Sequence, residues 1–334
     1  EFRLKTADEN KFKENGHINF ALFKEISLAG VYDIRSHIAT GNSSWFSGNF
    51  SGFFYDIDEG FGTETIHINI SNGNQLSGKA PYGARYTTTT HEKNFKFQRW
   101  GTYGEIGFLG KKYFNNYLKS PDANDDYEIL LAVSTDRNSL AKGQLEEILK
   151  DDRNDIVLES GKTLKLAEGY ELVIESIDCD GKVSLKLNKD GSLKDLMIIA
   201  PSKDGANMAD KTYYYVTDVG KLKGLAIIAV HFKKAIRVGD NSQAIVDGIW
   251  QISDKPYNVK LGAQYDRMSI ASIDPYKGII TMDNRGNTIT LARNKDISLM
   301  DGICLRTADN DTLRYHIYKP VTIGEDAIPS ENIL

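Results

Sequence analysis

Cysteine is scarce in this chain. Only Cys179 and Cys304 occur in 334 residues, too few and too far apart for a thiolate zinc centre. One disulfide or two buried free thiols both remain open. Long apolar runs are missing too: the longest, Leu225 to Val230, falls far short of the roughly 18 residues of a spanning helix. Basic residues do not cluster and the formal net charge is -5, so the electrostatic footprint of nucleic-acid binding is absent and no nucleic-acid partner is expected. No Gly-x-Ser-x-Gly elbow, phosphate-cradling glycine loop or His-x-x-x-His pair occurs. No catalytic residue is assigned, and the expectation is a non-enzyme.

What is present belongs to a folded β protein. Hydrophobic residues make up 40% and charged residues 26%, which excludes wholesale disorder. Seven prolines against 29 glycines, with 17 Tyr and 14 Phe, suit many short strands joined by tight turns. Alternation over four to eight residues dominates, as in Lys182-Val-Ser-Leu-Lys-Leu187, where Val183, Leu185 and Leu187 share one face. Asp180-Gly181 and Asp190-Gly191 are the expected turn pairs. Further strands are predicted at Val31 to Ile38, Phe50 to Ile57, Thr63 to Ile70, Arg85 to Thr90, Thr212 to Val216, Ala226 to Phe232 and Ala244 to Ile252. One short amphipathic helix is predicted over Leu140 to Lys150, capped by Asn138-Ser139, with Leu145, Ile148 and Leu149 on its apolar side and Glu146-Glu147 opposite.

The chain also repeats itself. Tyr170-Glu-Leu-Val-Ile-Glu-Ser-Ile-Asp178 and its following strand line up with Tyr265-Asp-Arg-Met-Ser-Ile-Ala-Ser-Ile-Asp274 and its follower, at an offset of about 96 residues with one gap. Each unit needs two sheets to bury its inner faces, so the predicted fold is all-β, with two linked β-sandwich subdomains.

The densest acidic stretch is Phe53 to Glu64, with Asp56, Asp58, Glu59 and Glu64 around Gly60 and Gly62. A helix-loop-helix calcium site needs glycine sixth and glutamate twelfth; here Gly60 is fifth and Glu64 ninth, and strands flank the loop. A looser Ca²⁺ site from Asp56, Asp58 and Glu64 stays open, beside a strand that ends in a turn with Tyr55 and Ile57 packed inward. Asp56 and Asp58 could also serve as a hydrolase carboxylate pair. His231 is expected as a hydrogen-bonded core or sheet-face residue. Asn42, Asn49, Asn69 and Asn310 begin glycosylation triplets, which carry meaning on an exported chain. No cofactor other than this possible calcium is expected.

Several stretches in order resemble the S-layer family duplication domain of methanogenic archaea. They are Asn49-Phe-Ser-Gly-Phe-Phe-Tyr-Asp-Ile-Asp-Glu-Gly60, Trp100-Gly-Thr-Tyr-Gly-Glu-Ile-Gly-Phe-Leu-Gly-Lys-Lys-Tyr-Phe114, Ser139-Leu-Ala-Lys-Gly-Gln-Leu145, Glu168-Gly-Tyr170, Ala229-Val-His-Phe232 and Gly248-Ile-Trp-Gln-Ile-Ser253. The resemblance implies a pair of linked β-sandwiches tiling the cell surface as a lattice of copies, with acidic pores that act as a molecular sieve. It also implies a signal peptide, a second domain copy, a stalk and a membrane anchor, which this sequence does not show, so the expectation is either an excised piece of a longer protein or a single-copy relative with another cell-surface role. The segment order implies a first, discontinuous sandwich over 1–155 plus 253–322, a second over 156–252, and a C-terminal tail over 323–334. The rival reading is a secreted glycan- or protein-binding module that exposes Trp45-Phe46 as an aromatic platform.

Overall fold

A computed structural model describes residues 2–6, 20–24, 29–118, 129–132, 137–238 and 241–324. The tail from 325 onward lies outside the described residues. The fold is nearly all β, and the chain divides into two compact units: Glu1–Thr90 with Ile106–Lys112 and Lys260–Leu334, and His91–Glu105 with Tyr113–Val259.

In the first unit a six-stranded antiparallel sheet runs Gln264–Tyr265, Met268–Asp274, Ile279–Asp283, Gly83–Thr89, Glu64–Asn69, Ser43–Phe46. A four-stranded sheet runs Asp296–Met300, Ile303–Thr307, Tyr315–Ile323, Gly30–Arg35. Period-two alternation sends Glu64, Ile66 and Ile68 inward from one strand and Ala84 and Tyr86 from its neighbour. Trp45 of the larger sheet meets Tyr315 of the smaller edge-on, with ring centroids 5.7 Å apart.

The second unit holds most of a nine-stranded sheet and a four-stranded one, Thr163–Lys165, Tyr170–Ile177, Val183–Lys189, Ser192–Ile199. One core joins them. Leu172, Ile174, Leu185 and Leu187 from the small sheet cluster with Ile228, Val230, Phe232 and Trp250 from the large one. Each such buried side chain contributes roughly 1.5–3 kcal/mol.

Each unit carries one of the repeated hairpins. Tyr170–Ile177 with Val183–Lys189 has a register shift between Ile174 and Ser176, and Met268–Asp274 with Ile279–Asp283 has one between Ile270 and Ser272, at the aligned positions. Asp178 Oδ1 accepts the backbone N–H groups of Asp180 and Lys182; Asp274 Oδ1 accepts those of Tyr276 and Lys277.

The structure departs from the sequence reading in several places. Leu140 to Lys150 is not a helix. A 3-10 turn, Leu140–Lys142, stops at Gly143 with φ +70°, and Gln144–Asp152 is a strand. That strand pairs in succession with Tyr257–Asn258, Lys111–Leu118 and Asn241–Ile252, so ladder hydrogen bonds override a pattern that also fits helical spacing. Glu146, expected on a solvent face, is buried, with its carboxylate held by Ser139 Oγ and Gln144 Nε2. Among the described residues the one short α-helix is Met208–Lys211, under a capping box in which Asn207 and Asp210 accept each other's backbone N–H. Phe50 to Ile57 forms turns instead of a strand, with Phe50 and Phe53 buried. The second unit takes in His91–Glu105 and runs from Tyr113 to Val259 instead of over 156–252 alone, with Gln144–Asp152 laddered into its large sheet.

Candidate functional site

The acidic loop is built around Asp56. Its backbone N–H donates to Phe61 O at 2.8 Å, its carbonyl accepts from Gly60 and Phe61, and its Oδ1 accepts the N–H groups of Asp58 (2.9 Å) and Glu59 (3.0 Å). This is an Asx-type turn. Tyr55 and Ile57 are half-buried, and Asp58 is exposed. Glu64 leaves the loop for the first unit's core. Its Oε2 accepts from Phe54 N at 2.6 Å; its Oε1 accepts from Gly110 N at 2.9 Å and from the Tyr86 hydroxyl at 2.8 Å. Burial pushes its pKa up to about 7, against the lowering effect of those donors. The structure therefore does not bring Asp56, Asp58 and Glu64 together, and among the described residues no three His, Cys, Asp or Glu side chains are grouped as a metal site would require.

The aromatic platform is corrected as well. Trp45 is fully buried between Tyr315 and His37, which leaves only Phe46 exposed at 51%. His231 lies in the second unit's core, bonded through Nδ1 to Asp247 Oδ1 and stacked on Phe97 at 3.9 Å. Both cysteines are free, Cys179 exposed and Cys304 half-buried.

The four sequon asparagines differ in how their amides are used. Asn42, Asn49 and Asn310 are exposed and accept through Oδ1, from Ile70 N, Phe46 N and Thr312 N. Asn69 is half-buried, and its Nδ2 donates to Pro81 O at 3.0 Å.

The surface feature that sequence reasoning missed is the edge strand Ser192–Ile199. Among the described residues it has one strand partner, Val183–Lys189. Lys194 is bulged out, since Asp195 opposes Leu187 while Leu193 opposes Asn188. The bulge puts Leu193 on the same face as Leu196 and Ile198, which oppose Lys186 and Ser184. These three side chains are 54%, 59% and 68% exposed, an apolar row beside open backbone hydrogen-bonding groups. The signal was present in Leu193-x-x-Leu196-x-Ile198, but its spacing reads as period two only after the bulge is known.

Comparisons with known proteins agree on one family. The profile of the S-layer protein family matches residues 35–309. The Major S-layer protein of Methanosarcina barkeri (strain Fusaro) is 28% identical over 314 residues, which covers 90% of this chain and 42% of that protein. That of Methanosarcina acetivorans is 28% identical over 326 residues, covering 94% and 44%, and that of Methanosarcina mazei 24% identical, covering 98% and 45%. The chain thus spans less than half the length of the curated relatives it matches. With most of its length matched by the profile, this chain belongs to the S-layer protein family.

Proposed function

We propose that this chain is a building block of an extracellular S-layer lattice on an archaeal cell, and that its work is structural, without catalysis. The match to the family over residues 35–309 carries the reading. The outward edge Ser192–Ile199, with Leu193, Leu196 and Ile198 in a row, supports lateral contact between copies. Heterologous contacts of that kind propagate a sheet where symmetric ones close it. The net charge of -5 suits the acidic pores of a sieve that passes ions and small solutes. The binding-module reading loses its main support with Trp45 buried.

Electron microscopy of the purified chain at rising concentration, with and without divalent ions, tests this. Two-dimensional ordering is expected, and a chain that stays monomeric throughout overturns it. Glycans on the exposed asparagines would fit the same surface role. Asn42, Asn49 and Asn310 keep Nδ2, the atom a glycan joins, out of the hydrogen bonds described, whereas Asn69 uses its own. Glycopeptide mass spectrometry of protein from its native cell should find the first three occupied ahead of Asn69.

A further inference from the structure

A cavity of about 640 Å³ lies within the first unit, inside the usual range for small-molecule sites. Three adjacent antiparallel strands supply one of its walls. In their ladders Asp283 opposes Arg85 and Arg85 opposes His67, and on a fourth strand Ser44 opposes His67, so a single row of polar residues crosses the sheet. The residues between them in sequence, Ile66, Ile68, Ala84, Tyr86 and Met282, are buried on the other face. The row is thus a consequence of the same alternation that builds the core.

The segment from Gly78 to Gly83, which leads into one of these strands, adds Lys79 together with Pro81 and the half-exposed ring of Tyr82 to the lining. This segment is braced from inside. The buried Asn284 side chain donates to Leu76 O and Asn287 O and accepts from Ala84 N. Gly78 and Gly83 pack so closely on Asn284 that an added Cβ would sit 2.4 Å from its carbonyl oxygen and 2.5 Å from its Oδ1. The hollow is held open by buried hydrogen bonds and close backbone packing.

Its charge runs against that of the whole chain. Lys79, Arg85 and Arg285 line the cavity together with one carboxylate, Asp283, in a protein of net charge -5. That carboxylate is already engaged: Oδ1 accepts Arg285 N and Oδ2 accepts Arg285 Nη2 at 2.9 Å. Among the described residues neither Lys79 nor Arg85 has an ion-pair partner, and both are exposed. His67 is oriented through Nδ1 by Ser44 Oγ at 2.6 Å, which leaves Nε2 for a ligand.

The geometry points to a binding site for a small organic anion, a carboxylate or phosphate carried on a compact ring such as a sugar. Arg85 presents a planar fork that matches either anion bidentately, and Lys79 and Arg285 add charge around it. Pro81 and Tyr82 supply the apolar surface for the ring. The site is separate from the proposed lattice edge, and binding in solution needs no assembly.

Isothermal titration calorimetry of the full chain at low salt, with glucuronate, glucose 6-phosphate and glucose as probes, tests the assignment. Saturable binding of at least one anionic sugar is expected, with glucose at least about tenfold weaker, since charge-assisted hydrogen bonds are lost. A preference for glucuronate identifies the carboxylate as the recognised group; a preference for glucose 6-phosphate identifies the phosphate. Arg85→Gln and Lys79→Gln should each weaken binding about tenfold while the thermal midpoint stays in place, because both side chains are exposed. Absence of saturable binding by both anions, equal affinity for glucose, or unchanged binding in both variants with wild-type midpoints overturns the proposal.

Discussion

Tyr86 donates its hydroxyl to Glu64 Oε1 at 2.8 Å, and both side chains are buried in the core of the first unit. The glutamate that closes the most acidic stretch of the sequence is an internal strut. It ties the backbone at Phe54 and Gly110 to a tyrosine on the neighbouring strand. Its buried carboxyl titrates near 7, and Glu64 in an unfolded chain near 4.5. The folded state therefore holds this proton more tightly. Stability from that protonation is fully present below about pH 4.5 and is lost as pH rises through about 7. Relative to Glu64→Gln, wild type should lose up to ~3 kcal/mol across that window. Urea midpoints of both proteins at several pH values read it out, and two pH profiles that run parallel would refute it.

Trp250 Nε1 donates to Tyr117 Oη at 2.9 Å, and Tyr117 donates onward to Ala226 O at 2.6 Å, all in the second unit's core. Tyr117→Phe strands a buried N–H and a buried carbonyl, at a cost of about 1–3 kcal/mol. Trp250→Ala leaves a cavity and costs about 3–5 kcal/mol or more. Denaturant unfolding distinguishes the two, and a Phe variant as stable as wild type would mean the relay contributes nothing.

Gly110 has φ +81°, and a Cβ there would lie 2.3 Å from Gly52 O. Gly110→Ala should therefore destabilise by at least about 1–3 kcal/mol, through both the left-handed backbone and the clash with a backbone atom. Gly161→Ala is the control: its φ is +80° but nothing lies within 4 Å of the added atom, so only the smaller conformational cost applies. Equal losses at the two positions would show that the close approach to Gly52 carries no cost.

Leu196→Lys combined with Ile198→Lys charges the edge strand without touching the core beneath, because both side chains are exposed. The thermal midpoint should move by no more than that of an ordinary surface change, about 0.5 kcal/mol. Ordered arrays should disappear in electron microscopy. Arrays that form as before would remove this edge from the assembly.

Much of the fold was legible because side-chain alternation is a local property. The hairpin Tyr170–Ile177/Val183–Lys189 and the repeated unit follow from period-two patterns and turn signals, and the expected strands Ala226 to Phe232 and Ala244 to Ile252 fall inside the longer strands Leu222–Val238 and Asn241–Ile252. The segment after Ser139 misled because Leu145, Ile148 and Leu149 satisfy helical spacing, while three distant strands compete for its backbone. Trp45 misled because its Gly/Ser-rich neighbourhood reads as a surface loop, yet it occupies a short strand whose alternate face is core. The sign of Glu64 was illegible for the same reason: a carboxylate turns inward only where another part of the chain supplies donors.

The sequence by itself determined that the chain is built of strands, that it carries a duplicated hairpin, and which family it resembles, since each rests on patterns within a few neighbouring residues. Only the tertiary structure decided which acid is buried, which edge stays open and which cations share a cavity. Those outcomes depend on pairing between residues far apart in sequence, such as Arg85 with Asp283 or Glu64 with Gly110, and the free energy of such pairs is set by the register of ladders that no local pattern encodes.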